Sequence, residues 1–463
     1  MAKSKLKQNQ LNFFEVIAMS VAIMAPTFAM ASNTPMLAGV SGYSLGLAFI
    51  ITMLVVGLVS ISFIKFNQKV SAAGSVYSFT NASLGSKAGT AAGWAMSLTY
   101  TMFAAGCVAA FGTFASTLIS GISGAHVPWL PLTLVCAALI WFITYHDVSI
   151  STIVMLVFEG ASILLLLVLA VIIIAKVGFS TGLSVKPFTL GNNHFSGIGL
   201  AVVFGFLSFA GFEGASSLGE ESKNPKKYIP LAIIFTIIII GCFYIVVSYA
   251  QVIGFGVTES GVKELQTSSS PLTALSEKFV SKWFSELITL GAAVSAFTCA
   301  LGSASGACRI VYSMSNDGKL PGVLSKVHPK FSSPHIALHL VMVIVIVVDV
   351  CLNRNEGITN YSYLGTVGSL AIILSYLATV IGSMVYFRKN GEWKIYHLIL
   401  PVLAVIAILF TLYSNVYPIP SFPFNIFPYI VLGVIALGSL FTFIYRKAAN
   451  PDLQLDQKSE TIE

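Results

Sequence analysis

The residues able to do chemistry in this chain are a few carboxylates and prolines set among apolar neighbours. Residues 204–230 read FGFLSFAGFEGASSLGEESKNPKKYIP. The stretch starts as an apolar helix, then places Gly205, Gly211, Gly214 and Gly219 around one acid, Glu213. A glycine in a helix interior costs about 1 kcal/mol, and an ionisable residue at the centre of a bilayer roughly 2.5 kcal/mol or more. A segment carrying both reads as an interrupted helix lining a cavity, where loosened backbone meets a ligand instead of lipid. The plainer reading is a helix packed through its small residues, with Glu213 bonded to a neighbour. A second acid, Glu159, lies inside the apolar run STIVMLVFEGASILLLLVLAV. A short acid snorkels poorly, so a protonated or paired state is expected. That partner is either a helix end in the bundle or part of a coupling device. A third feature is Pro26, central in VIAMSVAIMAPTFAMASNTPML. Proline removes a backbone donor and clashes with the preceding turn, so the helix is expected to kink or unwind around 25–27.

These features suit the handling of a ligand or an ion better than bond making. The histidines are His126, His146, His194, His328, His335, His339 and His397. Most fall in loops or at span ends, and His335 with His339 is an i, i+4 pair lacking a third ligand. The chain therefore reads as no enzyme, with no cofactor and no metal site. The cysteines Cys107, Cys136, Cys242, Cys299, Cys308 and Cys351 lie in or beside apolar runs without a CxxC pair, and read as packing residues. No run carries the charged ring or filter motif of a channel.

The elements that position these residues follow from composition. Of 463 residues, 56% are hydrophobic and 9% charged, a balance no water-exposed surface tolerates. The chain reads as an all-α, polytopic membrane protein forming one helical bundle. Apolar runs long enough to cross about 30 Å of hydrocarbon recur twelve times, at 14–38, 45–64, 89–120, 128–145, 150–175, 196–219, 229–254, 284–312, 335–352, 361–386, 396–414 and 424–445. With twelve spans both termini share one side. Nineteen of the 25 lysines and arginines then fall on that side, which makes it cytoplasmic. The basic residues lie between spans and not in a cluster, so the net charge of +7 is no nucleic-acid signal.

Interruptions in spans 1 and 6 fall at matching places, each opening a set of five. Paired interruptions of this kind point to a midplane binding site in an inverted-repeat transporter. The expected organisation is a cytoplasmic tail (1–13), a first five-span repeat (14–175), a second (196–386), spans 11 and 12 (396–445) in a structural or dimer-forming role, and a cytoplasmic tail (446–463). Residues 258–286 form the longest hydrophilic connection, either a lid helix or a surface loop. The segment between spans 2 and 3 reads as a short interfacial helix or a packed loop.

Two motifs carry a family resemblance. FAGFEGASSLGEESKNPKKYIP resembles a signature of the amino acid–polyamine–organocation superfamily. Its core is Phe209, Gly211, Phe212 and Glu213, followed by Glu220, Glu221, Asn224, Pro225 and Pro230. RIVYSMSNDGKLPGVLSKVHPKFSSP is similar to a second signature, with Arg309, Asp317, Gly318, Leu320 and Pro321 in place. The resemblance implies a five-plus-five inverted repeat (LeuT-like) with two additional C-terminal helices and with spans 1 and 6 discontinuous. It implies spans 1, 3, 6, 8 and 10 around a small amine substrate, its carboxylate on backbone amides of span 1 and its ammonium on carbonyls of spans 1 and 6. The resulting substrate-binding residues are Ile23, Ala25, Pro26, Thr27, Thr99, Phe103, Phe209, Ala210, Gly211, Ser295 and Tyr361. Glu213 and Glu159 become the coupling residues, since low dielectric disfavours a carboxylate's charged form and so suits proton carriage. The chain departs from the family where Ala25-Pro26-Thr27 replaces the usual Gly–small–Gly of span 1, which bears on how a carboxylate would be bound.

The expected function is secondary active transport of amino acids across the plasma membrane, by proton-coupled symport or exchange. The alternative is a polyamine or amine antiporter with Glu213 binding the cation. Expected partners are the substrate, a proton (or sodium, for which Ser295 and Thr298 offer oxygens) and the lipid bilayer. No nucleic acid is expected, and the protein reads as a monomer or homodimer.

Overall fold

Where each helix starts and stops follows from local chemistry. The computed structural model describes residues 6, 8–146, 148–190, 195–268, 270–392 and 395–449. Lys3, Lys5, Lys7, His194, Lys394 and the tail from Asn450 onward lie outside the described residues. Helix α1 (Phe13–Met24) opens on a capping box. Asn12 Oδ1 accepts from the Phe14 and Glu15 amides, and Glu15 Oε2 accepts from the Asn12 amide at 2.8 Å, satisfying donors that a helix start leaves free. Residue 25 ends α1. Helix α2 (Pro26–Ser32) begins on a proline, and α3 (Thr34–Ser41) continues beyond Asn33.

Then come α4 (Leu45–Lys69), the short α5 (Val76–Leu84), the long α6 (Ser86–Ser123), α7 (Trp129–Tyr145) and α8 (Val148–Ser180). Helix α9 (Phe195–Ser208) stops short of Glu213, and a 3-10 turn over Gly214–Leu218 leads to α10 (Pro225–Phe255). Two short helices, α11 (Glu259–Thr267) and α12 (Pro271–Phe279), occupy the long hydrophilic connection. The remainder are α13 (Lys282–Asn316), α14 (His335–Cys351), α15 (Gly357–Lys389), α16 (Tyr396–Val416) and α17 (Phe427–Ala449).

No strand occurs among the described residues; the nearest thing is one isolated bridge between Leu11 and Ser222. Nine helical segments there are long and apolar enough to cross a membrane. The apolar runs at 128–145 and 335–352 appear as 17-residue helices, and the run at 196–219 as the 14-residue α9 with its irregular continuation. In a bilayer helices are the natural answer for such runs, because each backbone group is satisfied within the segment. The central packing is α6 against α13 and α15. Helices α8, α16 and α17 turn outward side chains such as Leu164, Leu403 and Phe443 to the surroundings, as expected of surfaces that face lipid. The chain is a multi-pass membrane protein.

Candidate functional site

At Ala25 the backbone enters the left-handed region, φ 43° and ψ 62°. Its amide still bonds back to Val21 and Ala22, so α1 closes normally. Pro26 has no amide and starts α2 in a position that tolerates this. The next two amides, of Thr27 and Phe28, would continue an unbroken helix by donating to Ile23 and Met24. They do neither. The Thr27 amide donates to the carboxylate of Glu159, and the Phe28 amide to Ser295 Oγ at 3.1 Å.

Glu159 comes from α8 and is 1% exposed. Its Oε1 accepts from the Ser295 hydroxyl at 2.8 Å and its Oε2 from the Thr298 hydroxyl at 2.5 Å. Both hydroxyls belong to α13, so one carboxylate joins α2, α8 and α13. Hydrogen bonds to a charged group contribute about 1.5–3 kcal/mol each, and the positive end of a helix start favours an anion. Without those donors a buried acid would be strongly destabilising.

The second interruption is built differently. Beyond Ser208, residues 209–213 form turns, and Gly211 has φ 99°. Such a φ suits glycine alone among common residues. Glu213 is fully buried; its Oε1 accepts from Tyr100 Oη of α6 at 2.7 Å, and its Oε2 accepts a short bond from Tyr376 Oη of α15. The Tyr376 hydroxyl also accepts from the Gly211 amide at 3.2 Å. The two interruptions touch through Ser20 of α1, whose hydroxyl donates to the Phe212 carbonyl at 2.7 Å and accepts from the Ala215 amide at 2.9 Å.

The glycines of this stretch make room for neighbours. A Cβ on Gly211 or Gly214 would lie 2.2 Å and 2.6 Å from the Ile23 side chain, and one on Gly302 2.9 Å from it. Ile23 is thus wedged between α13 and the second interruption. Gly205 makes room for Thr52 and Gly219 for the backbone of Ala72.

Between the interruptions lies a narrow cavity of about 40 Å³, room for only a few waters. Of the residues expected to bind substrate, Ile23, Ala25, Phe103, Ala210 and Tyr361 line it. Pro26, Thr27, Thr99, Phe209, Gly211 and Ser295 stand outside its lining. Thr99 bonds the Ala95 and Gly368 carbonyls, which ties α6 to α15. Phe209 packs edge-on against Tyr244. The Thr27 hydroxyl is buried without a hydrogen-bond partner among the described residues. Neither Glu159 nor Glu213 lines the cavity.

Sequence reasoning missed Phe28, Asn33, Cys107 and Cys299, which do line it. Phe28 meets Tyr361 edge-on with ring centroids 4.5 Å apart. Through Leu207 and Ala210 the cavity borders a larger, mostly apolar chamber of about 270 Å³ between α9, α15 and α16. Another buried acid, Asp349 of α14, also went unremarked; both its oxygens lack partners among the described residues. Its signal, one acid in an apolar run, is the same that marks Glu159.

The two sequence motifs meet away from the cavity. Arg309 Nε donates to Glu221 Oε2 at 2.7 Å and Nη2 to Oε1 at 3.1 Å, a buried bidentate pair. Arg309 Nη1 also reaches the Ser305 carbonyl and hydroxyl. The Gln10 and Leu11 amides donate to the Glu221 carbonyl. Nearby, Tyr77 Oη donates to Asp317, and Lys319 bonds Ser86. This end of the bundle is shut by polar contacts among segments far apart in sequence.

A helical membrane bundle with two broken helices around a small cavity is the architecture of a solute carrier. The chain matches the family described as Amino acid permease over residues 11–439, and belongs to it. It is 29% identical over 314 residues to the branched-chain amino acid permease BcaP of Bacillus subtilis (strain 168), a match covering 64% of this chain and 65% of that permease. It is 24% identical over 470 residues to the methylthioribose transporter of the same organism, covering 96% of this chain and 95% of the relative. With the low-affinity putrescine importer PlaP of Escherichia coli (strain K12) it shares 24% identity over 344 residues, 72% of each chain.

Proposed function

We propose that this protein is a secondary transporter that moves amino acids or related amines across the cytoplasmic membrane by alternating access. The supporting observation is the pair of broken helices, α1–α2 and α9 with its continuation, joined through Ser20 beside one cavity. In this reading the twelve apolar segments form a five-plus-five inverted repeat with α16 and α17 added, and both termini face the cytoplasm. The bidentate Arg309–Glu221 pair closes the cytoplasmic end, and its separation accompanies opening on that side. The cavity, about 40 Å³, is a contracted state that widens when solute enters. The relatives' names span an amino acid, a sugar derivative and a diamine, which favours a shared mechanism with divergent cargo.

Coupling falls to Glu213. A proton on its carboxylate replaces one acceptor used by Tyr100 or Tyr376, and so links protonation to the contact between α6 and α15. The alternative, Glu213 as ligand of a cationic amine, requires both tyrosines to withdraw first. The test is uptake by proteoliposomes under an imposed proton gradient. Saturable, gradient-driven uptake in wild type that is no longer gradient-driven in Glu213→Gln supports the reading. Gradient-driven uptake retained in full by that variant contradicts the coupling role.

A further inference from the structure

Beside the cavity, at the start of α2, the chain's own carboxylate Glu159 takes up the hydrogen-bond donors. We infer that it holds them permanently, so that the cargo of the cavity is an amine carrying no carboxylate. The inference rests on the transporter reading above and narrows its cargo.

Donors around the cavity are already taken. A carboxylate in a buried site needs hydrogen-bond donors, ideally backbone amides or a cation. At the first interruption Pro26 has none, the Thr27 amide donates to Glu159, and the Phe28 amide donates to Ser295 Oγ. The Ser295 hydroxyl in turn donates to Glu159, as does that of Thr298. The Ala25 amide bonds the preceding turn, and that of Ala29 bonds the Ala25 carbonyl. Across the cavity, the Ala210 amide bonds the Leu207 carbonyl and the Gly211 amide bonds Tyr376 Oη. The Asn33 side-chain amide donates to Ser208 Oγ. None of the lining side chains among the described residues is basic, and Tyr361 brings the only hydroxyl.

Acceptors are in the opposite condition. Turning Thr27 and Phe28 toward Glu159 and Ser295 deprives the Ile23 and Met24 carbonyls of their helical donors. Among the described residues the Ile23 carbonyl takes only the weak thiol donor of Cys299, at 3.1 Å. These carbonyls form the C-terminal end of α1, which favours a positive charge. The cavity therefore offers an ammonium its acceptors and a carboxylate almost nothing.

The experiment uses pairs of solutes that differ by one carboxylate: putrescine against ornithine, and isoamylamine against leucine. Binding to the purified full chain is read from thermal stabilisation across a concentration series, in wild type and in Glu159→Ala. Wild type is expected to bind at least one amine about tenfold or more tightly than its carboxylated partner. Glu159→Ala frees the Thr27 amide and both hydroxyls, and is expected to shrink that ratio about tenfold. Should Glu159→Ala fail to fold, Ser295→Ala, which frees the Phe28 amide alone, is expected to move the ratio the same way by a smaller factor. A wild-type protein that prefers ornithine or leucine overturns the inference and leaves the transporter reading standing. So does a ratio untouched by every folded variant. Binding of no member to any variant overturns the site itself, and the inference with it.

Discussion

The two interruptions solve one problem with different chemistry. The first is abrupt. One left-handed residue, Ala25, precedes a proline, and the amides thereby released are satisfied by side chains from elsewhere, Glu159 of α8 and Ser295 of α13. The second is gradual. It spreads over residues 209–213 and a 3-10 turn, relies on glycine, and carries its own acid, held by two tyrosines. A break satisfied from outside ties its helix to a scaffold. A break that carries its own acid can change its contacts when that acid gains or loses a proton. The first break is therefore expected to stay fixed and the second to change its contacts.

The largest effect is expected where the second interruption meets Ile23. Gly211→Ala combines a left-handed φ with a Cβ 2.2 Å from Ile23 Cγ2, and should destabilise by roughly 3 kcal/mol or more, seen as a collapse of the melting temperature and of expression. Gly214→Ala clashes with Ile23 Cδ1 instead. Adding Ile23→Val removes that atom and should restore much of the lost stability, which a double-mutant cycle measures. Next comes the scaffold at the first break. Glu159→Leu strands the Thr27 amide and the Ser295 and Thr298 hydroxyls, at about 1–3 kcal/mol for each buried group left unsatisfied. Glu159→Gln keeps an acceptor and should lose markedly less in the same melting experiment.

Pro26→Ala tests the break itself. Alanine supplies the missing amide, so stability should change by less than about 1 kcal/mol, whereas uptake should fall by about tenfold as α1 and α2 become able to join. The smallest effect is predicted for Thr27→Val. Its hydroxyl has no partner among the described residues, so melting should shift by less than about 0.5 kcal/mol and uptake should stay within about twofold.

Much of this was legible in the sequence, and the reasons differ by feature. Pro26 announces the first break because its effect is local, a missing amide and a clash. Among the described residues nine of the twelve apolar runs appear as helices long enough to cross a membrane and three as shorter helices, because lipid leaves a lone segment no other way to satisfy its backbone. Long-range pairing was not legible. Nothing around Glu159 names Ser295 or Thr298, which lie 136 and 139 residues away. The expectation that Glu159 sits against a helix end or joins a coupling device left both open; its geometry joins it to the start of α2. The glycines of 204–219 read either as loosened backbone for a ligand or as positions of close helix packing. Gly211 and Gly214 make room for Ile23, a partner that no local pattern could name. Six of the eleven residues expected to bind substrate fall outside the cavity lining, since facing one cavity depends on helix rotation, which the weak apolar asymmetry of such helices hardly fixes.

The most direct test of the account is counterflow. Proteoliposomes preloaded with an unlabelled amine are diluted into a trace of the same amine carrying a label. A carrier that alternates access around one site accumulates label transiently above its equilibrium level, and saturates as the internal amine is raised. Simple equilibration of the label, without overshoot and without saturation, would contradict alternating access at this cavity.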